Sequence, residues 1–178
     1  MNKKILILIL GVQSLLLLAV ASWNEFSLRT GTVVLLEVQP VDPRDLLRGD
    51  YLVLNYKISE IPSSMLNLSA SDATYNGAKV YVWLEKKGSY HVVKKATLQK
   101  IKPELGDLCL EGRLSQGRAG SHYFHINYGL ESYFVPEGTG QPVGTLTAKV
   151  AITHSGTARI KEILINGKPY AEMMRKNS

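Results

Sequence analysis

The chain carries a single cysteine, Cys109. A lone thiol excludes an internal disulfide and any metal centre built from cysteines. Its neighbours read Leu108-Cys109-Leu110, the alternation of a strand, so a small buried hydrophobe is its expected role. Charge imbalance is also slight. Lys3 and Lys4 account for two of the 21 basic residues, so the rest of the chain sets 19 basic against 15 acidic side chains. That mild excess suits a body near anionic lipid heads and does not demand nucleic acid. Six lysines fall between Lys86 and Lys102, a cluster that reads as a solvated hairpin and its connection. No glycine-rich phosphate loop leads from a strand into a helix, so nucleotide binding has no support. Internal repeats, low-complexity tracts and a second domain are likewise missing.

What is present begins with one apolar run. Residues 5 to 21, ILILILGVQSLLLLAVA, carry no charge and follow directly on Lys3 and Lys4. As a helix the run spans about 25 Å, close to the ~30 Å hydrocarbon core of a bilayer. A helix satisfies its own backbone hydrogen bonds and can therefore sit in lipid. The lysines predict a cytoplasmic N-terminus and an exported remainder. The expected organisation is a membrane anchor over 1–22, an extracytoplasmic β domain over 23–172 and a frayed tail over 173–178. Ala19-Val20-Ala21 also has the small-x-small pattern of a signal-peptidase site, and cleavage there would export the same domain. Trp23 and Phe26 suit an outer interfacial belt.

Beyond the leader about 155 residues remain, enough for one core. Long helical periodicity gives way to short β-rich runs between turn signals. Strands are predicted over Val33–Gln39, Asp50–Ser59, Lys79–Lys86, Tyr90–Leu98, Asp107–Leu114, His122–Tyr128, Thr145–Thr153 and Ala158–Ile165. Gly88 and Ser155-Gly156 read as hairpin turns, and Asn166-Gly167 as a further turn. Ser63–Leu68 has room for one helical turn. The fold class is therefore all-β, a sandwich or partly open barrel of about eight strands behind one N-terminal transmembrane helix.

The densest local signal is residues 42 to 56, DPRDLLRGDYLVLNY. Asp42 can cap a helical turn, with Pro43 at the first helical position, Asp45 in the place of a capping-box acid and Gly49 closing the turn. Asp50 then opens a strand on which Leu52, Leu54 and Tyr56 share its face, while Tyr51, Val53 and Asn55 take the other. Asp50 would stand partly buried at the end of an apolar row, where the preceding amides, Arg44 or Arg48 can satisfy it. It either staples turn to strand or belongs to a docking surface. A catalytic role lacks a second carboxylate or histidine placed beside it.

Gly49-Asp50-Tyr51-Leu52-Val53-Leu54-Asn55-Tyr56 fits the pattern G-D-Y-x-x-L-x-Y at every fixed position. The chain here resembles the bacterial GDYXXLXY proteins. It is similar to them in size, in the N-terminal membrane segment, and in a second stretch, Tyr133-Phe134-Val135-Pro136-Glu137-Gly138. Members tend to be encoded beside multi-spanning membrane proteins, so the resemblance implies an integral membrane protein as partner. It carries over no catalytic residue and no cofactor.

Three enzymatic patterns fit poorly. A type I signal peptidase needs a serine before the turn, and this chain has Gln39-Pro40-Val41-Asp42. A sortase-like transferase would use Cys109, His91 and Arg113, but Leu105-Gly106-Asp107-Leu108 replaces the sortase residues before the cysteine. His122 and His125 are three positions apart on a strand and point to opposite faces, so no metal site is expected. The reading is a membrane-anchored accessory or interaction module, with no cofactor, no metal and no nucleic-acid partner. Its docking surface is expected at Asp42, Arg44, Arg48, Gly49, Asp50, Tyr51, Leu54 and Tyr56, together with Glu137 and Gly138 of the 136–144 loop. The alternatives are a thiol-dependent transferase at Cys109 and a β domain that binds a small ligand.

Overall fold

The computed structural model describes residues 3–39, 47–48, 51–66, 75–99, 101, 106–115, 122–135 and 144–175. Helix α1, Lys3–Thr30, opens the chain. Its stretch Lys3–Trp23 is long and apolar enough to cross a membrane, and none of it is buried against the body. The helix runs past the apolar stretch because the next turns are held locally. Arg29 pairs with Glu25 one turn back, and the Thr30 hydroxyl donates to the Phe26 carbonyl. Only Gly31 separates the helix from the first strand.

The remainder is mostly strands, folded into a nearly closed, barrel-like sheet. β1 (Thr32–Glu37), β10 (Leu146–Ile152), β11 (Ala158–Ile165) and β12 (Lys168–Pro169) form one antiparallel sheet in that order. A second sheet orders β4 (Glu60–Pro62), β8 (Tyr123–Asn127), β7 (Leu108–Ser115), β5 (Lys79–Lys87) and β6 (Tyr90–Thr97). A third, small sheet orders β2 (Leu47–Arg48), β3 (Tyr51–Val53) and β9 (Ser132–Phe134). The first two meet where the Glu111 amide of β7 donates to the Gly156 carbonyl in the β10–β11 turn. Pro62, which cannot donate to a ladder, sits on the edge strand β4.

The local signals place most of these elements. Lys87 pairs with Tyr90 across a two-residue turn at Gly88. Asn166 (φ 50°) and Gly167 (φ 80°) join β11 to β12 in the left-handed conformation that an Asn-Gly hairpin turn requires. α2 (Ser63–Leu66) is the single helical turn expected there. α3 (Tyr170–Arg175) closes the described chain, so residues 173 to 175 of the segment expected to fray lie in a helix.

Two expectations need correction. Leu47 and Arg48 are not in the helical turn anticipated between Asp42 and Gly49. They are extended and pair with Leu52 and Tyr51, because β3 offers them a ladder that local capping cannot match. The strand anticipated over Asp50–Ser59 is also broken. β3 ends at Val53, Tyr56 makes an isolated bridge to Val38, and a 3-10 turn at Lys57–Ser59 redirects the chain into β4 of another sheet. One apolar run thus serves two sheets.

The core gathers Leu36, Leu52, Leu54, Tyr56, Ile61, Leu110, Phe124, Ile126, Ile163 and Ile165, all essentially buried. Gly112 lets β7 approach β8, since a Cβ there would meet Ile126 Cγ2 at 2.5 Å. Tyr81, Trp83 and Cys109 form a second, smaller buried cluster on the opposite face of β5 and β7. That is why β5 reads as an almost continuous apolar run rather than an alternating one.

Candidate functional site

The two sequence motifs, remote along the chain, are neighbours in the fold. β3 carries the Tyr51 end of the first and β9 the Tyr133-Phe134 end of the second, with Tyr51 opposite Phe134, Leu52 opposite Tyr133 and Val53 opposite Ser132. The Leu54 amide extends the pairing by donating to the Glu131 carbonyl at 2.9 Å.

The alternation along the first motif falls as expected. Leu52, Leu54 and Tyr56 are fully buried, and Tyr51 is half exposed. Tyr56 does more than fill space. Its hydroxyl donates to the Leu130 carbonyl at 2.7 Å, while the Tyr128 hydroxyl donates to the Ile58 carbonyl at 2.7 Å. Two buried phenols thus reach across to each other's segment. Glu131 completes the clamp by accepting from the Tyr128 amide at 2.5 Å. Burial pushes both phenol pKa values far above their ordinary range, and the Glu131 carboxylate adds to the push. Neither hydroxyl can shuttle protons near neutral pH. The pair is structural: it locks the corner where the chain leaves β3 to the corner between β8 and β9. Tyr128, Leu130 and Glu131 were not singled out from sequence. Tyr128, directly before Gly129, was the local hint.

The outer side of the same corner is different. The rings of Tyr51 and Phe134 meet edge-on at 5.6 Å with an interplanar angle of 75°. Both stay open to solvent, at 50 % and 62 % exposure. Two large aromatic side chains held in one geometry by a paired register make a preformed apolar contact surface. Of the other positions expected here, Arg48 lies on β2 beside Tyr51. Asp42, Arg44, Gly49, Asp50, Glu137 and Gly138 lie outside the described residues.

The thiol constellation does not assemble. Cys109 pairs with Trp83 on one edge of β5, whereas His91 pairs with Lys86 on the other edge. An intervening strand and a three-residue offset put their backbones roughly 14 Å apart by strand spacing. Trp83 and Lys86 also differ in parity along β5, so the two side chains leave opposite faces of the sheet. Arg113 is two positions beyond Glu111 on the face of Cys109, and it donates to the Gly77 carbonyl at 3.2 Å. Cys109 is buried, at 9 % exposure, and this register does not bring His91 to it as the base a reactive thiolate needs. Labelling with a thiol reagent near neutral pH is therefore expected to be slow in the folded protein, at least tenfold below the rate in denaturant. Equal rates in the two states would return Cys109 to consideration as a nucleophile. Among the described residues no group of three His, Cys, Asp or Glu side chains is placed to hold a metal ion.

No curated protein and no solved structure matches the chain. A protein-family model does: that of the GDYXXLXY protein matches residues 13–163. The match takes in both paired motifs, the tyrosine clamp between them and most of the barrel, and on that evidence the chain belongs to the GDYXXLXY protein family.

Proposed function

We propose that this protein is a membrane-anchored accessory module whose β body, outside the cytoplasmic membrane, docks on an integral membrane protein. The charge pattern supports the orientation, since Lys3 and Lys4 precede an apolar helix of membrane-spanning length. The observation that carries the docking reading is the exposed, edge-on Tyr51–Phe134 pair, which both family motifs combine to build. Aromatic side chains already fixed in position lose little entropy on binding and often dominate the energy of an interface. The clamp behind the pair explains why a motif with a docking role needs a buried tyrosine: Tyr56 holds the strand that presents Tyr51.

The test is co-purification of the full chain from mild detergent, wild type beside a Tyr51→Ser/Phe134→Ser variant. Both rings are exposed, so the variant should melt within a few degrees of wild type. It should lose an integral membrane protein that wild type retains. Recovery of the same proteins by a folded variant would count against the proposal.

A further inference from the structure

Among the described residues β9 is an edge strand. Glu131 faces β3 with its carbonyl, so by alternation Ser132 and Phe134 turn their main-chain groups the other way. Across from them stands a second edge. β11 pairs with β10 along one side, but on its other side β12 covers only Leu164 and Ile165. Among the described residues, 158–162 have no strand partner on that side. The two edges line one groove of about 660 Å³, with Ser132, Tyr133 and Phe134 on one wall and Ala158, Arg159 and Ile160 on the other. Through Tyr128, Gly129, Thr157 and Ala158 the groove continues into a second hollow of about 530 Å³ beside Glu111 and Arg113. A gap between two strand edges in an otherwise nearly closed sheet leaves ladder positions on both sides for an added strand.

The charges on the groove indicate what kind of strand. Glu111 is paired with Lys79, Arg113 donates to Gly77, and Glu131 accepts from Tyr128. Arg159 is exposed and has no hydrogen-bond or ion-pair partner among the described residues. Among the described residues it is the one charged side chain lining the 660 Å³ groove, beside the half-buried Tyr133 and Ile160. We infer that the groove between β9 and β11 receives an extended segment of a partner protein by strand addition. Its apolar side chains lie on Tyr133, Phe134 and Ile160, and an acidic side chain meets Arg159. This inference rests on the docking reading above, since Phe134 belongs to both the aromatic pair and the groove wall.

The probe is a capped synthetic heptapeptide alternating valine with glutamate or threonine, titrated into the full-length protein in detergent. Two relatives of it serve as controls, one with lysine for glutamate and one N-methylated at alternate residues. The acidic peptide is expected to bind at least tenfold more tightly than either. Arg159→Glu should reverse the preference between the acidic and basic peptides, and because Arg159 is exposed the variant should fold. Equal binding of all three peptides, or none by any, overturns strand addition. Co-purification separates the two proposals. If Tyr51→Ser/Phe134→Ser loses the membrane partner and Arg159→Glu keeps it, the groove inference fails and the docking reading stands. If both variants keep the partner, the docking reading fails as well.

Discussion

Tyr56→Ala is expected to destabilise the protein by about 3–5 kcal/mol, the usual cost of truncating a fully buried aromatic side chain. Against the 5–15 kcal/mol that typically holds a domain together, that removes between about a fifth and all of the margin. The mechanism can be separated from cavity formation. Tyr56→Phe keeps the ring and removes only the donor to Leu130, leaving a buried carbonyl unsatisfied at a cost of about 1–3 kcal/mol. Tyr128→Phe should cost a similar amount through Ile58. The two hydrogen bonds tie the same pair of segments, so the double variant should depart from the sum of the singles by about 0.5 kcal/mol or more. Urea unfolding of the full chain in detergent, followed by tryptophan fluorescence, measures all four variants. Tyr51→Ser, on the exposed side of the same strand, is the control and should move the midpoint little. A Tyr56→Phe midpoint no lower than that of the control would mean that the clamp does not hold the corner.

The same two phenols predict steep alkaline sensitivity. Both have folded-state pKa values raised above the unfolded value of 10.0. Below that value both states keep the proton, and the groups' contribution is intact. Above it the unfolded chain ionises and the folded one does not, so the unfolded state binds fewer protons and stability falls as pH rises. Each tyrosine removes about 1.4 kcal/mol per pH unit beyond 10, so the pair removes close to 3 kcal/mol by pH 11. Unfolding midpoints measured from pH 8 to 11 should therefore drop sharply past 10. In the Tyr56→Phe/Tyr128→Phe double variant the drop should be shallower by about that amount, from a lower starting stability. Parallel curves for variant and wild type would assign the sensitivity to other groups.

Much of this architecture could be read before any coordinates. The β5–β6 hairpin announces itself in the KVYVWLEK run and Gly88, the β11–β12 turn in Asn166-Gly167, and the burial of Leu52, Leu54 and Tyr56 in their two-residue spacing. These are local signals: a side chain's face is set by parity, and parity survives whatever the strand pairs with. The break after Tyr56 could not be read the same way. Residues 54 to 61 keep an apolar rhythm, and the 3-10 turn within them answers to Val38 and Tyr128, which come from elsewhere in the chain. Leu47 and Arg48 show the same limit. Their neighbours favour a capped turn, and a ladder with β3 overrides it.

The candidate site divides along the same line. The two motifs were visible separately, as was the partly buried row that begins one of them. Their pairing, Tyr51 opposite Phe134, was not visible, nor was the reach of the Tyr56 hydroxyl across 74 positions to Leu130. His91, Cys109 and Arg113 already fitted the sortase pattern poorly in sequence, and register then placed a strand between the histidine and the thiol.

By itself, then, the sequence determined that a charge-free apolar helix leads the chain, that alternating strands follow it, and that the GDYXXLXY motif buries its leucine and last tyrosine while exposing its first. Those properties depend on composition and on spacing within a few residues. Only the tertiary structure decided which strands are neighbours, where two sheet edges are left facing each other, and which polar groups meet. Those outcomes come from many weak contacts between distant segments, summed over the whole barrel, and no single stretch of the chain encodes that sum.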